Sequence, residues 1–405
     1  MRWEKVKLGD CCEITSSKRI FYSEYADFGI PFYRSKEIIE CSQGQSISEP
    51  LYITTQRYNE IKCKFGTPIA GDMLLTSVGT IGVPYIVKAT DKFYFKDGNL
   101  TWFRQFTNKL YSKYLFYWIT SKEGASVLNN ATIGSSQKAL TISALKNIEI
   151  TLPPIDYQRR IADILSAYDD LIENNRKQIK LLEEAAQRLY KEWFVDLRFP
   201  GHAHTRIVDG VPERWKIRAV SDFGKVVTGK TPSTSKSEYY DGNIPFVTIP
   251  DMHNTIFPLS TEKHLSEQGA NTQKSKYLPP NSVMVSCIAT VGLVSITSQQ
   301  CQTNQQINSV VLKNEIDLYF LYFAMKRIKS LLDGVGSNGA TMTNVNKMKF
   351  ENINILYPES HLINCFFEFS MPVFRKILIL SKENLQLQQA RDRLLPKLMS
   401  GEVKT

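Results

Sequence analysis

The sequence lacks the cysteine and histidine spacings that build metal centres or disulfide frameworks. Its 405 residues include seven cysteines and five histidines, and no two cysteines have the CxxC spacing of a zinc or redox site. His202 and His204 are neighbours without a nearby cysteine or carboxylate cluster, so we interpret them as linker residues. This pattern predicts no metal on the chain and favours a reducing compartment, the cytoplasm.

Long hydrophobic runs are also absent. The most apolar stretch, Asn281–Thr297, contains serine, threonine and glycine, and it predicts two short strands rather than a membrane span. The first ten residues, MRWEKVKLGD, have no features of a signal peptide. With 42% hydrophobic and 22% charged residues, the composition is that of an ordinary soluble protein, and the length predicts two or more domains.

Signatures of enzymatic chemistry are missing as well. We find no NPPY- or DPPY-type methyltransferase motif, no glycine-rich cofactor loop, no carboxylate–lysine cluster of the nuclease type and no nucleophile elbow. The absence of a tightly defined motif is more informative than the absence of a loosely defined one.

One stretch, Gly224–Thr231, matches the GxxxxGK[ST] pattern of a phosphate-binding loop. A working loop of this type follows a buried strand and opens a helix, so that backbone N–H groups surround the phosphate. Here the preceding residues lack the pattern of a buried strand, and Pro232 follows directly. At the equivalent place in the first half of the chain Lys18 is kept, but both glycines are replaced. The pattern therefore favours a basic loop, and nucleotide binding stays an alternative.

The distribution of charge points to a polyanionic partner. The chain carries a net charge of +10; residues 1–155 have an excess of five positive charges and residues 199–358 an excess of four, whereas residues 156–198 carry −1. Two basic regions beside a near-neutral segment suggest a polyanion contacted at two places. Surface charge that serves solubility is the alternative explanation.

An apolar heptad pattern organises the middle of the chain. Alternating steps of four and three reach apolar residues at every position except Asn175: Ile161, Leu165, Tyr168, Ile172, Asn175, Ile179, Leu182, Ala186, Leu189 and Trp193. Such a pattern predicts a helix that packs along another helix. We expect it to run from Ile155 to Leu197, about 65 Å at ~1.5 Å per residue, and to be ended by Pro200–Gly201.

The heptad recurs 205 residues later, at the end of the chain. Its positions are Phe366, Ser370, Val373, Ile377, Leu380, Asn384, Leu387, Arg391, Leu394 and Leu398, and Pro372 falls inside its first half. The second helix is the expected partner of the first, and a register can be stated for the case in which the two pair antiparallel. Pairing about their midpoints places Asn175 opposite Asn384, and a polar pair at seam positions can fix the register.

The regions before each helix are also related to one another. The matching segments are Gly71–Val87 with Asn281–Thr297, Lys113–Ile119 with Tyr319–Met325, and Gly134–Pro154 with Gly336–Pro358. A repeat of this length predicts two lobes of one α+β fold related by pseudo-twofold symmetry. The predicted boundaries are a first lobe at 1–152, a central helix at 153–199, a linker at 200–212, a second lobe at 213–357 and a distal helix at 358–405.

Polar and basic residues on the recurring loops are the candidate DNA contacts. Lysine and arginine would mostly hold phosphates, whereas amides and hydroxyls would read bases. The candidates in the first lobe are Lys18, Arg19, Arg34, Lys36, Ser135, Ser136, Gln137 and Lys138. Those in the second lobe are Lys230, Thr231, Ser233, Thr234, Lys236, Asp251, His253, Gln305, Gln306, Asn308, Ser337, Asn338, Thr341 and Thr343. For each residue a solvated loop side chain is the alternative.

Two variable lobes that alternate with two related helices resemble the specificity (S) subunit of type I DNA restriction–modification enzymes. The segments that carry the resemblance are LPPIDYQRRIADILSAYDDLIENN, LYKEWFVDLRFPGH, TGKTPST, IPFVTIPDM and LLPKLMSGEV. The first lobe departs from the pattern, because it has SSKRIFYS where the second lobe has the GKTPS form.

The resemblance implies a non-catalytic subunit whose lobes are target recognition domains, each reading one half of a split DNA site. It implies that the two helices form an antiparallel coiled coil that separates the lobes. The same helices would dock two modification (M) subunits, which bind S-adenosylmethionine and methylate adenine. Restriction (R) subunits that use ATP and Mg²⁺ would join this core. A stand-alone coiled-coil DNA-binding regulator is the other alternative. From the helix length we expect half-sites about one DNA turn apart (~34–36 Å), and a longer first helix should widen the unread spacer.

Overall fold

The computed structural model describes residues 3–45, 47–134, 138–328 and 344–403. The chain divides into two compact units, the first made of Met1–Glu173 with Gln386–Thr405 and the second of Asn174–Leu385. Within the described ranges, no helix combines the length and the apolar character needed to cross a membrane.

Short strands and helices alternate in the first unit. The strands are β1 (Glu4–Lys7), β2 (Glu13–Thr15), β3 (Tyr25–Ala26), β4 (Ile30–Tyr33), β5 (Leu51–Ile53), β6 (Met73–Thr76), β7 (Pro84–Ile86), β8 (Tyr94–Phe95), β9 (Leu100–Arg104) and β10 (Glu149–Leu152). The helices are α1 (Ser35–Ser42), α2 (Thr55–Phe65), α3 (Ser112–Thr120), α4 (Lys122–Asn130), α5 (Ile142–Asn147) and the beginning of the long α6 (Ile155–Phe194).

The second unit has a similar succession of elements. Its strands are β11 (Ile207–Val208), β12 (Val211–Pro212), β13 (Lys216–Ala219), β14 (Gly224–Thr228), β15 (Tyr240–Val247), β16 (Lys263–Leu265), β17 (Val283–Ser286), β18 (Val294–Ile296), β19 (Gln302–Thr303), β20 (Ile307–Leu312) and β21 (Asn354–Tyr357). Its helices are α7 (Val220–Phe223), α8 (Ile249–Met252), α9 (Glu267–Asn271), α10 (Leu318–Lys326), α11 (Lys347–Glu351) and the first part of the long α12 (Ser360–Met399).

The main sheet has the same strand order in both units, and the smaller sheet differs only by the additional strand β3 of the first unit. An antiparallel sheet of order β2-β9-β6-β7 in the first unit corresponds to β14-β20-β17-β18 in the second. Beside it, β4 pairs with β5 antiparallel and with β8 parallel, as β15 does with β16 and β19. A ladder of β1 with β10 closes the first lobe, and β13 with β21 closes the second. The predicted duplication of an α+β lobe is confirmed.

Apolar runs in the sequence form the core of each lobe, as predicted. The glycine-interrupted segment of the first lobe forms the hairpin β6–β7, and that of the second forms β17–β18. Strand β17 is buried along its whole length. The aromatic helices α3 and α10 pack on these sheets, and Tyr114 and Phe320 are fully buried. Their aromatic side chains therefore belong to the core rather than to a base-stacking surface.

The long helices pack against each other in opposite directions. In the first unit, Ile161 and Leu165 share a hydrophobic cluster with Leu398 and Leu394. In the second unit, the ring centroids of Trp193 and Phe366 are 6.3 Å apart. In the first unit the Tyr157 hydroxyl, near the start of α6, donates to the Val403 carbonyl beyond the end of α12 at 3.3 Å, whereas Asp169, further along α6, pairs with Arg391, earlier in α12. This order of contacts is the expected antiparallel arrangement.

Each lobe is fastened to α6 by a buried tyrosine. In the first unit the Tyr117 hydroxyl donates to Asp169 at 2.6 Å, and Asp169 also pairs with Arg391 of α12. In the second unit the Tyr322 hydroxyl donates to Glu183 at 2.7 Å. Burial raises the pKa of both tyrosine hydroxyls, and the carboxylate acceptors add to the shift. Both hydroxyls therefore stay protonated as donors at neutral pH.

The end of the first long helix differs from the prediction. Helix α6 ends at Phe194 instead of Leu197, so its 40 residues span about 60 Å. Leu197 adopts a left-handed conformation with φ of 57°, and the Arg198 N–H donates to the Glu192 carbonyl at 2.8 Å. A left-handed residue that closes the last turn terminates a helix. The residue in this conformation is usually glycine. Because it is a leucine here, the sequence does not indicate where the helix ends.

Two asparagines lie in the otherwise apolar seam between the long helices. Asn175 and Asn384 are both buried, and the register of Trp193 with Phe366 brings them to the same level of the second unit. The Asn175 amide nitrogen and the Asn384 amide oxygen have no hydrogen-bond partner. An unsatisfied buried polar group costs about 1–3 kcal/mol. These residues therefore lower stability at a position where a polar pair specifies register.

Replacing both residues, as Asn175→Leu with Asn384→Leu, should raise the free energy of unfolding by about 1–3 kcal/mol, because two unsatisfied polar groups are removed from an apolar seam. Urea titration followed by circular dichroism measures the change. Asn175→Leu alone is the matched comparison, since it leaves the Asn384 amide buried. A double variant less stable than the unmodified chain would show that the asparagines are satisfied.

Candidate nucleic-acid interface

The basic loop of the second lobe, Gly229–Lys236, is held from three sides. The Gly229 N–H donates to the Ile307 carbonyl at 3.1 Å, and the Lys230 N–H donates to the Thr303 carbonyl at 2.9 Å. The buried side chain of Gln273 donates to the Lys230 carbonyl at 2.7 Å. The backbone of the loop is therefore fixed while the Lys230 side chain is exposed.

Polar side chains of two distant segments meet on this loop. The Thr231 hydroxyl donates to the Gln305 side chain at 2.6 Å, and the Tyr240 hydroxyl donates to the Pro232 carbonyl at 2.8 Å. Further along the loop, the candidates Ser233, Thr234 and Lys236 are all exposed. The second lobe thus presents cations, hydroxyls and an amide together, which suits phosphate and base-edge contacts.

The phosphate-loop pattern does not form a phosphate cradle. Gly224–Thr228 is strand β14, which pairs along its length with β20. No α-helix starts at Lys230, and the next helical turn is a 3₁₀ segment at Ser237–Tyr239. A Cβ on Gly229 would lie 2.1 Å from the Asn304 carbonyl oxygen, so close packing explains this glycine. The nucleotide-binding alternative has no structural support.

The equivalent loop of the first lobe carries different chemistry. The Lys18 N–H donates to the Tyr94 hydroxyl at 2.7 Å, and the Lys18 ammonium lies 4.7 Å from the centre of the Phe65 ring. The Arg19 guanidinium pairs with Asp97 at 3.0 Å and is otherwise exposed. Both cations remain available at the surface, although their surroundings are more aromatic than those of the second lobe.

Several other candidates have partners within the lobe. Arg34 pairs with the buried carboxylate of Glu37 at 2.5 Å; burial acts to raise the pKa of Glu37, but the hydrogen bonds from Arg34 outweigh it and lower the pKa. Lys36 pairs with Glu49 at 3.0 Å on the surface. Arg34 therefore stabilises the start of α1, whereas Lys36 is exposed and its ion pair is weak.

Two candidates of the second lobe have structural roles. The Asp251 carboxylate accepts the Thr248 N–H at 2.7 Å and the Glu262 N–H at 2.9 Å, so it caps α8 and secures the following loop. Asn308 is 3% exposed; it accepts from the Thr228 hydroxyl at 2.6 Å and donates to the Val345 carbonyl at 3.2 Å. The prediction that Asn308 reads a base is therefore corrected, because the neighbouring strand and loop cover it.

The remaining candidates divide by exposure. His253 follows α8 and is exposed, Gln305 is exposed, and the Gln306 side chain is half-buried and accepts from Asn304 at 3.0 Å. Lys138 is exposed on the glycine–serine loop of the first lobe. The candidates that lie outside the described residues are Ser135, Ser136, Gln137, Ser337, Asn338, Thr341 and Thr343.

Sequence reasoning missed two features of these loops. Gln273, which fixes the Lys230 backbone, is 43 residues away in sequence and belongs to no motif, so nothing in the sequence points to it. The exposed rings of Phe21, Tyr22 and Phe28 follow Lys18 and Arg19 in the first lobe. The sequence does contain an indication of these rings, since several aromatic residues close together are unusual in a polar loop.

Comparison with known proteins identifies the family. The family described as "Type I restriction modification DNA specificity domain" matches residues 1–184 and 212–362, so each match begins at one lobe. The chain belongs to this family. It is therefore a specificity subunit, a non-catalytic DNA-recognition component of a type I restriction enzyme.

Individual relatives agree with this assignment. The specificity subunit is 35% identical to the HindI specificity subunit of Haemophilus influenzae over 65% of this chain and 71% of that protein. It is 27% identical to the MjaIX specificity subunit of Methanocaldococcus jannaschii over 99% and 94% of the two chains. The crystal structure of a type I S subunit from M. genitalium superposes with a TM-score of 0.60 at 15% identity, covering 98% of this chain and 96% of that one. This last likeness shows the shared fold.

Proposed function

We propose that each lobe of this specificity subunit reads one half of a bipartite DNA site. The observation that carries the proposal is a duplicated strand topology with dissimilar loop chemistry, since Lys230 and Thr231 in one lobe correspond to Lys18 and Arg19 in the other. One scaffold used twice with different loops suits two half-sites of different sequence. Exposed cations would hold phosphates, and Thr231 with Gln305 would contact base edges.

We also propose that the two long helices dock methyltransferase (M) subunits. Both helices expose apolar side chains away from the seam: Ile164, Leu171 and Leu181 on α6, and Phe369, Met371 and Ile379 on α12. Exposed apolar side chains repeated along helices suit a protein partner. In this proposal two M subunits bring S-adenosylmethionine, and R subunits bring ATP and Mg²⁺, so this chain needs no cofactor. The cytoplasm, where the seven free cysteines stay reduced, is the proposed location.

Methylation sequencing of a host with and without this chain tests the proposal. We expect one bipartite motif with methylated adenines to disappear when the chain is removed, and an adenine methyltransferase to co-purify with the chain. Unchanged methylation together with tight DNA binding by the chain alone would instead favour a stand-alone regulator.

Removing two cations of the second lobe, as Lys230→Ala with Lys236→Ala, should weaken binding of the chain–methyltransferase complex to every DNA sequence. Each lost phosphate contact lowers the slope of log affinity against log salt by about 1, so the pair should lower it by about 1–2. Fluorescence anisotropy over a salt series measures the slope. Lys225→Ala is the matched control, because Lys225 is an exposed lysine of β14 outside the loop. If the double loop variant and the Lys225→Ala control have equal salt slopes, the loop makes no phosphate contacts with DNA.

A further inference from the structure

The two most exposed large hydrophobic side chains among the described residues are six positions apart in the sequence of the first lobe. Tyr22 is 87% exposed and Phe28 is 83% exposed, and Phe21 beside them is also exposed. We call Phe21, Tyr22 and Phe28 the aromatic loop. Single exposed apolar side chains are ordinary, but three rings within eight residues indicate a contact surface.

The aromatic loop is held in place before any partner binds. The Phe21 N–H donates to the Glu24 carboxylate at 2.8 Å, and Glu24 also pairs with Arg57 of α2 at 2.7 Å. The turn that carries Phe28 packs closely against β5. A Cβ on the next residue, Gly29, would lie 2.3 Å from the Ile53 carbonyl oxygen. Rings on a preorganised backbone bind at a lower entropic cost than rings on a mobile loop.

The second lobe provides an internal comparison. The tripeptide Ser-Glu-Tyr occurs at 23–25 and again at 237–239, and both copies overlap a 3₁₀ turn. At this offset Tyr22 corresponds to Lys236, and Phe28 corresponds to Gly242. A Cβ on Gly242 would lie 2.5 Å from the Leu265 carbonyl oxygen, so the second lobe has no room for a side chain there. Tyr22 therefore stands where the second lobe has the candidate phosphate-binding Lys236, and Phe28 stands where the second lobe has no side chain.

Cations around the aromatic loop indicate DNA rather than a protein as its partner. Lys18 and Arg19 precede the loop, and the Lys18 ammonium lies 4.7 Å from the Phe65 ring at the end of α2, where Lys62 and Lys64 are exposed. Of the two carboxylates in the same segment, Glu24 is paired with Arg57 and Asp27 is exposed, so cations are in excess. Charged residues are depleted at the centres of protein–protein interfaces. DNA-binding surfaces, in contrast, combine cations with apolar wedges that enter between base steps.

We propose that Tyr22 and Phe28 insert against the base pairs of the first lobe's half-site and locally unstack them. This inference rests on the proposed function, since it assigns a reading mode to one of the two lobes. The two residues are six positions apart and so at most about 20 Å from each other, within one turn of duplex (~34 Å). The first lobe then reads how easily its half-site deforms, whereas the second relies more on phosphate contacts.

The test uses the chain purified with its methyltransferase subunits and a duplex that carries the methylated motif, with 2-aminopurine placed in each half-site in turn. The probe is kept away from the methylated adenines, because methyltransferases extrude their target base from the duplex. Wild type should then raise the fluorescence in one half-site. Tyr22→Ala with Phe28→Ala should abolish that rise and weaken binding about tenfold or more, with an unchanged salt slope, because stacking involves no counterion release. Tyr22→Phe should retain the signal. Ile217→Ala with Met348→Ala removes exposed apolar side chains of the second unit and should change neither quantity.

Three outcomes would overturn the inference. Wild-type affinity and fluorescence in the Tyr22→Ala, Phe28→Ala variant would show that the rings do not contact DNA. Loss of methyltransferase co-purification in that variant would show that the aromatic loop binds a protein. If no methylated motif depends on the unmodified chain, the proposed function itself fails, and this result is separate because it precedes any substitution.

Discussion

Insertion of one heptad into both long helices should lengthen the unread spacer of the methylated motif by about three base pairs and leave both half-sites unchanged. Seven helical residues add about 10 Å at ~1.5 Å per residue, which matches three base pairs at ~3.4 Å each. Placed beside Asn175 in α6 and Asn384 in α12, the insertion keeps the seam in phase. Methylation sequencing reports the motif directly.

The same seven residues inserted into the linker 200–212 serve as the control, because that segment contains only a short 3₁₀ turn and two-residue strands. We expect the linker variant to methylate the original motif. Three base pairs also turn the second half-site by about 100° around the duplex, so methylation by the helix variant should be slower. A folded helix variant that keeps the original spacer would show that the helices do not set the separation.

Phe366→Ala should destabilise the protein by about 3–5 kcal/mol, a large share of the 5–15 kcal/mol that stabilises a typical domain. Phe366 is 1% exposed, and its ring lies 5.2–6.3 Å from the rings of Tyr190, Trp193, Phe194 and Phe323. Removing it leaves a cavity where α12, α6 and α10 meet. The midpoint of denaturant unfolding, followed by tryptophan fluorescence, measures the loss.

Phe369→Ala is the matched control on the same helix. Phe369 is 43% exposed, so truncating its side chain removes little buried area. Its effect on stability should stay below about 1 kcal/mol. If Phe369 contacts a methyltransferase subunit, as proposed, its loss should weaken co-purification without lowering the unfolding midpoint. Equal stability of the two variants would contradict the packing of Phe366 at the centre of this cluster.

Periodicity in the sequence was sufficient for the large features of the molecule. The heptads that begin at Ile161 and Phe366 predicted two paired helices, the family resemblance supplied their antiparallel direction, and the contact of Trp193 with Phe366 agrees with the register expected for that direction. The recurring glycine-broken apolar segments predicted one lobe fold used twice. These features follow from local spacing, since a period of 3.5 or 2 residues places apolar side chains on one face whatever lies elsewhere in the chain.

Tertiary structure decided which polar residues are available to a partner. Asn308 belongs to a promising amide cluster by sequence, yet Thr228 and Val345, far away in the chain, cover it and use its hydrogen-bonding groups. Gly229 matched a phosphate-loop pattern but is required by contact with the Asn304 backbone. Exposure of a loop side chain depends on which distant segments pack beside it, and no local pattern in the sequence records that neighbour.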